Sequence, residues 1–456
     1  MIAELDKKYL WHPFTPTDLW LAEDYRPVVI VGGEKSWLID EQGNRYLDGN
    51  SSIWTNIHGH CNAAINGAIK LQLDKIAHSS FLGLTNDLAP ILGKRLVELG
   101  ANDELTRCFF SDDGATAIEA ALKITYQYFE QNGQPQRKKF ISLSAGYHGD
   151  TVGAMSVGHS KLFHHCYKNM LFESDEVMSP YCYRCPFNKA KPQKADARTY
   201  VQCGRECLSL VEKKFDANGD RTAAWVIEPR VQGAAGFIMH PEGYLQQSCA
   251  VAQSHGAMVI LDEVMTGFGR TGELFAWQKE QVSPDLVALA KGITGGYLPL
   301  AATLVKEKLF DGFRGEVSRT FFHGHSYTGN QLGCAAALAS LDLLIDADGE
   351  RARKDIEAAF RAAHERFWQL THVGDVRQEG CILAVEVVKD FATRGAFDAK
   401  LRIGARICEA AQKYGLLTRP VGDVLLLMPP YTTTKDEVNL MVGALCRAIA
   451  EVTENL

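Results

Sequence analysis

No stretch of this 456-residue chain reaches the ~18 uninterrupted apolar residues of a membrane span. Neither charge sign dominates: 48 Lys and Arg stand against 55 Asp and Glu, a formal net charge of −7, and no basic run stands out. A nucleic-acid surface is therefore not expected. The opening MIAELDKKYLWHPF has no apolar signal core, which leads us to expect a soluble, cytoplasmic protein. Proline is scarce, 15 residues against 40 glycines, and there is no internal repeat or flexible linker. A composition of 46% hydrophobic and 23% charged residues excludes a disordered chain, a collagen-like repeat and a low-complexity scaffold. The glycines imply many tight turns and close backbone approaches. At ~100–200 residues per domain, the length predicts two or three domains.

Twelve cysteines could pair, but most sit inside apolar patterns such as RCFF, LGCAAALA and GALCRAIA. Buried free thiols in a reducing compartment are the simpler expectation.

The first segment predicts a hairpin, with two β-rich runs flanking Glu41-Gln42-Gly43-Asn44. Helical periodicity follows over 63–76 and 87–99. Short apolar runs then recur at 107–111, 139–143, 224–227, 258–261, 286–290 and 302–305, most of them separated by helical sequence. That alternation predicts βαβ crossovers and a mostly parallel sheet. From about Asn330 the character changes. Helices are expected over 333–346, 351–370 and 399–414 and from Lys435, with strands at CILAVEVV and VLLLMPP, as in a smaller α+β domain. The irregular segment 179–201, rich in Pro, Lys, Tyr and Cys, reads as a surface excursion.

The strongest chemical signal is MVILDEVMTGFGRTG followed by PDLVALAKGITGGYLPLAA. Asp262 ends one apolar run and Lys291 ends another. Ligands bind at strand C-termini in a parallel sheet, so the two charges form either a salt bridge at the sheet edge or a catalytic pair. Gly292, Gly295 and Gly296 leave room for a planar ligand. A lysine acting as an amine nucleophile needs a desolvated pocket. An aspartate facing a pyridinium nitrogen keeps it protonated and makes the ring a better electron sink. Lysine with aspartate is therefore the demand of pyridoxal phosphate chemistry. Two phosphate-site candidates exist. In FFSDDGATAIEAALK a strand leads through Gly114 and Ala115 into a helix N-terminus, where free amides bind phosphate. Ser326 in FFHGHSYTGN is a hydroxyl beside glycines, or else an ordinary cap. Tyr147 and His148 in SLSAGYHGDTVGAMS could cover a flat ring or simply pack.

DDGATAIEAALK, GYHGDT, LDEVMTGFGRTG and AKGITGGYLPLAA, in that order along the chain, resemble the class III pyridoxal phosphate-dependent aminotransferases. The resemblance implies an α/β protein of fold type I. Its large domain, over 63–332, would carry a mostly parallel seven-stranded sheet. A smaller α+β domain would combine 333–456 with an N-terminal segment over 1–62. By the same resemblance Lys291 bonds the pyridoxal 5′-phosphate cofactor, Asp262 pairs with its ring nitrogen and Tyr147 stacks on it. The amides of Gly114 and Ala115 hold the phosphate, joined by His325 and Ser326 from the partner subunit of a homodimer. Glu228 in VIEPRVQG matches a motif near the cofactor, although Arg230 stands where the family has an aliphatic residue. YLWHPFTP, SSIWTNIHGH and LLTRPVGDVLLLMPPY resemble the branch that transfers an amino group to 8-amino-7-oxononanoate in biotin synthesis. That match implies Trp54, Gly324 and Arg419 as substrate-binding residues. Phe14 stands where many members have tyrosine, which leaves S-adenosylmethionine or lysine as the amino donor. Another class III aminotransferase acting on an ω-amino acid or diamine, or a 2,1-aminomutase, is the alternative.

Cys182, Cys185, Cys203 and Cys207 form C-x2-C and C-x3-C separated by seventeen residues, close to zinc-ribbon spacing. An iron–sulfur cluster could use the same ligands. Pyridoxal chemistry uses no metal and the resemblance assigns none, so no metal is expected there. Nor is one expected at the H-x-H pairs His58/His60 and His323/His325.

Overall fold

A computed structural model describes residues 2–100 and 102–454. Seven strands build the central sheet: β1 (Leu105–Ser111), β2 (Lys139–Leu143), β3 (Asp175–Val177), β4 (Thr222–Ile227), β5 (Met258–Asp262), β6 (Leu286–Leu289) and β7 (Ala301–Lys306). Their order is β1-β7-β6-β5-β4-β2-β3. Only β7 runs antiparallel to its neighbours; the other pairings are parallel. The expected fold class is thus borne out, with strand ends within two residues of those read from sequence. β3 escaped notice because Asp175-Glu176-Val177 is too short and too acidic to show an apolar run.

The central strands are covered on both faces, which is why they read as continuous apolar runs rather than alternating ones. Along β4 and β5, Trp225, Ile227, Val259 and Leu261 enter one core. Ala224, Val226, Met258 and Ile260 enter the core on the other face, with the helix α1 (Gly114–Gln131).

A second sheet runs Val373–Glu379, Ile382–Val387, Val424–Leu427, Pro420–Val421, all antiparallel. The helices Ala347–Trp368 and Lys435–Thr453 pack against each other beside it. The expected helix over 399–414 is broken at Arg402, whose φ is 48°, leaving a 3-10 turn and the helix Ile403–Gln412. The N-terminal hairpin forms as predicted, Trp37–Asp40 pairing with Arg45–Asp48. Leu416–Leu417 adds to it in parallel, so the two ends of the chain share a sheet.

The segment after β3 is not the surface excursion expected from sequence. Cys182, Tyr183 and Ala197 are buried, and its side chains clasp the second sheet. The Ala197 amide donates to Asp375 at 3.2 Å, Arg184 meets Glu386 at 2.6 Å and Arg198 meets Glu379 at 2.9 Å. Arg377, 2% exposed, lies between Asp375 at 2.8 Å and Glu386 at 2.9 Å. Arg230 reaches Glu379 at 2.8 Å and also pairs with Glu280. This explains the departure noted at Arg230: the side chain completes a buried ion network. It also explains why strand Val373–Glu379 was missed, since its three buried charges hide it. Removing one partner of a buried pair leaves the others uncompensated, at about 3–5 kcal/mol. Arg377→Met is therefore expected to lose about that much in urea unfolding at neutral pH, and a loss under about 1 kcal/mol would show that water already screens the network.

Candidate active site

The carboxyl ends of β4, β5 and β6 face a cavity of about 710 Å³. Asp262 is the last residue of β5 and registers against Ala288 of β6, three residues before Lys291 turns the chain. Lys291 takes a left-handed φ of 49° and starts the turn Lys291–Thr294. The two charges therefore come from adjacent strands, yet they do not pair with each other. Among the described residues, Asp262 Oδ2 lies 2.7 Å from His148 Nδ1, and Oδ1 accepts the Val264 amide at 3.1 Å. Both side chains are buried. Lys291 Nζ sits 5.0 Å from the centre of the Trp54 ring, whose edge packs on Phe237.

Burial pushes the Lys291 amine below its ordinary range, against the opposing pull of Asp262 and Glu228. Burial alone would also lower His148, but its hydrogen bond and charge contact with Asp262 outweigh that and raise it. Burial pushes buried Glu228 up to about 7. Its oxygens accept the amides of Gly233 at 2.8 Å and Tyr147 at 3.2 Å. The Tyr147 phenol donates to Asp150 at 2.8 Å, and burial followed by that bond raises it.

At the other end of the cavity stands the N-terminus of α1. Asp113 caps it by accepting the Thr116 amide at 3.0 Å, and the Thr116 hydroxyl accepts the Asp113 amide at 3.0 Å. That leaves the amides of Gly114 and Ala115 with no acceptor inside the helix. A Cβ on Gly114 would lie 2.6 Å from Val264. Gly149 holds φ 122°, and a Cβ there would lie 2.3 Å from that of Ala115, so only glycine lets the His148 loop close on the helix end.

These residues fit the pyridoxal 5′-phosphate expected from sequence. Two free amides at a helix N-terminus suit a phosphate. A carboxylate backed by a histidine suits a ring nitrogen. A desolvated amine suits a carbonyl. Asp112 Oδ1 and Thr151 Oγ1, both on the cavity wall, are buried without a partner and can take polar contacts.

Of the residues singled out from sequence, Trp54, Gly114, Ala115, Tyr147, Asp262, Lys291 and Gly296 line one cavity, with His148 and Glu228. The remainder lie outside it. His325 Nδ1 approaches Asp112 at 3.5 Å, while Gly324 and Ser326 are exposed. Arg419 is exposed between two short strands. Phe14 is 55% exposed and touches the site through Phe163, which lies 5.4 Å from Phe14 and 5.9 Å from Tyr147. The four clustered cysteines are free thiols, and among the described residues no three His, Cys, Asp or Glu side chains are arranged to hold a metal ion. Sequence missed the pairing of His148 with Asp262, which lies 114 positions away. It also missed the conformation of Ser51–Trp54, four successive residues with φ between 49° and 67°.

The family description Aminotransferase class-III matches residues 21–449. The adenosylmethionine-8-amino-7-oxononanoate aminotransferase of Geobacter sulfurreducens is 45% identical, covering 99% of this chain and 98% of that one. The crystal structure of the enzyme of the same name from Methanocaldococcus jannaschii superposes with TM-score 0.89 at 39% identity, covering 99% of each chain. An amine transaminase from an uncultivated Pseudomonas species, solved in its PLP-bound form, superposes with TM-score 0.88 at 34% identity, covering 97% of this chain and 99% of that one. With the family match covering residues 21–449, every residue that lines the cavity among them, this chain belongs to the class III aminotransferases.

Proposed function

We propose that this chain transfers an amino group from S-adenosylmethionine to 8-amino-7-oxononanoate, giving 7,8-diaminononanoate, with pyridoxal 5′-phosphate held in the cavity. The observation that carries this reading is full-length identity of 45% to a relative of that name, joined to a cavity that gathers Lys291, Asp262 and a helix N-terminus. Lysine as donor is a second reading. It rests on Phe14, which offers no hydroxyl beside Phe163 and Tyr147.

When bound, the cofactor supplies a conjugated ring that accepts electrons from the carbon losing its proton. The protein residues do the rest. The amides of Gly114 and Ala115 hold the phosphate. Asp262, oriented by His148, would face the ring nitrogen and keep a proton on it. Tyr147 covers the ring, tied by its phenol to Asp150. Lys291 Nζ, its amine favoured by burial, removes the proton from the amine-bearing carbon of the donor and later returns one to the carbon that receives the amine. Trp54 walls the substrate side, while Gly324 and Arg419 are assigned to the substrate and its carboxylate.

Exposed Trp11, Leu82, Phe322 and Tyr327 support a homodimer that covers them and brings His325 and Ser326 to the partner's phosphate. We read residues 63–332 as the large domain and 1–62 with 333–456 as the smaller one, supported by the pairing of Leu47–Asp48 with Leu416–Leu417.

Adding S-adenosylmethionine to the cofactor-loaded protein is expected to bleach its visible absorbance; bleaching by lysine alone would establish the second reading. If neither acts on intact, coloured protein, another class III substrate must be sought. Lys291→Ala should cut turnover by at least about 10³-fold, and Asp262→Asn by at least about 10²-fold, both without loss of fold. Turnover surviving in Lys291→Ala would sink the proton-transfer role. Gly149→Ala should weaken cofactor binding at least about tenfold in equilibrium dialysis, because the added methyl forces the loop off the helix end; wild-type affinity would show that the helix end is not the phosphate site.

A further inference from the structure

Ser51, Ser52, Ile53 and Trp54 have φ of 52°, 49°, 66° and 67°. L-residues avoid this region because Cβ crowds the following carbonyl, so four in succession persist only where the surroundings enforce them. Those surroundings converge on Asp48, which is 1% exposed. Its Oδ1 accepts the Ser52 amide at 2.9 Å, and its Oδ2 accepts the Ser52 hydroxyl at 2.8 Å. The same Oδ2 lies 3.0 Å from His60 Nε2. His60 is held in turn: its Nδ1 lies 3.1 Å from Asn56 Nδ2, and its backbone bonds Lys35 in both directions. From the other side the Ser51 hydroxyl donates to the Met428 carbonyl at 2.7 Å. The turn delivers Trp54, whose ring ends 5.0 Å from Lys291 Nζ.

We propose that Asp48, supported by His60, is a positioning residue: it holds the left-handed turn and so sets the Trp54 indole beside Lys291 before substrate arrives. Neither Asp48 nor His60 lines the cavity, so both act through the turn. A carboxyl group with two oxygens serves the Ser52 amide, the Ser52 hydroxyl and His60 at once. Asparagine puts an amide nitrogen in place of Oδ2, so the Ser52 hydroxyl and His60 Nε2 could no longer donate there. The effect on turnover rests on the reading of this cavity as the site for the oxononanoate.

The test compares wild type, Asp48→Asn, Trp54→Phe and the double variant. The near-UV circular dichroism of the apoprotein, taken as the difference between wild type and Trp54→Phe, isolates the indole and needs no substrate. Asp48→Asn should abolish most of that difference. In the loaded enzyme it should raise KM for the oxononanoate about tenfold with kcat changed less than about threefold. In the Trp54→Phe background Asp48→Asn should add less than about twofold, since the two residues act as one unit. An unchanged indole signal, or losses that multiply independently, overturns the proposal. A collapsed indole signal in a chain that never turns over the oxononanoate supports the positioning and rejects the substrate. His60→Gln removes the support more gently. It should shift the same signal in the same direction, and it replaces Asp48→Asn if that variant does not fold.

Discussion

Asp262 ends one strand and Lys291 follows the end of the next, both line one cavity, and they are not paired with each other. Each buried charge costs several kcal/mol unless something answers it. Asp262 is answered by His148 at 2.7 Å and by the Val264 amide. Among the described residues, Lys291 faces the Trp54 ring and the more distant acids, and burial pushes its amine down. The asymmetry has chemical content. A carboxylate held by two hydrogen bonds is fixed in place and can meet a cation opposite it. A poorly compensated ammonium gives up its proton and becomes a nucleophile and base. Had the two formed the salt bridge that their sequence positions allow, both functions would be lost.

Keeping them apart makes demands on the backbone. Lys291 itself, the run Ser51–Trp54 and Gly149 all have positive φ, and Lys291, Trp54 and Gly149 line the cavity. A left-handed non-glycine residue costs roughly 1–2 kcal/mol, so the five at Ser51–Trp54 and Lys291 are supported by the surrounding fold rather than by their own preferences. Support at Lys291 comes from the β5–β6 pairing beneath it, and at Ser51–Trp54 from Asp48, His60 and the Met428 carbonyl. At Gly149 the absence of a side chain is itself the solution.

What was legible in the sequence follows from the range of the interactions involved. β4, β5 and β6 announce themselves because burial on both faces demands unbroken apolar runs, and Asp262 and Lys291 stand out because charges end those runs. The helix end at Gly114 is visible because capping is local. The strand Val373–Glu379 is not, since its Asp375, Arg377 and Glu379 look solvated until Glu386 reaches Arg377 from the next strand, and Ala197, Arg198 and Arg230 reach Asp375 and Glu379 from some 150 to 180 positions away. His148 was visible as a residue but not as the partner of Asp262, for the same reason. Arg419, Gly324 and Ser326 depend on family resemblance alone, because within one chain they do not reach the cavity.

The cavity wall is assembled from distant parts of the chain. Trp54 comes from a segment that pairs with Leu416–Leu417, while Lys291 and Asp262 come from the central sheet. Their spacing therefore depends on how the chain-end sheet sits against the central one. An apolar contact between such bodies tolerates sliding, because burial energy follows area and has no direction. The clasp formed by Arg184, Arg198, Arg230 and Arg377 is directional. Its ion pairs add little net stability once desolvation is counted, but any other register strands several buried charges at a few kcal/mol each. Register, rather than stability, is what this network contributes. It fixes the second sheet to the central one as Asp48 fixes Trp54 to Lys291, so that the Lys291 amine meets its substrate in a space whose walls are already set.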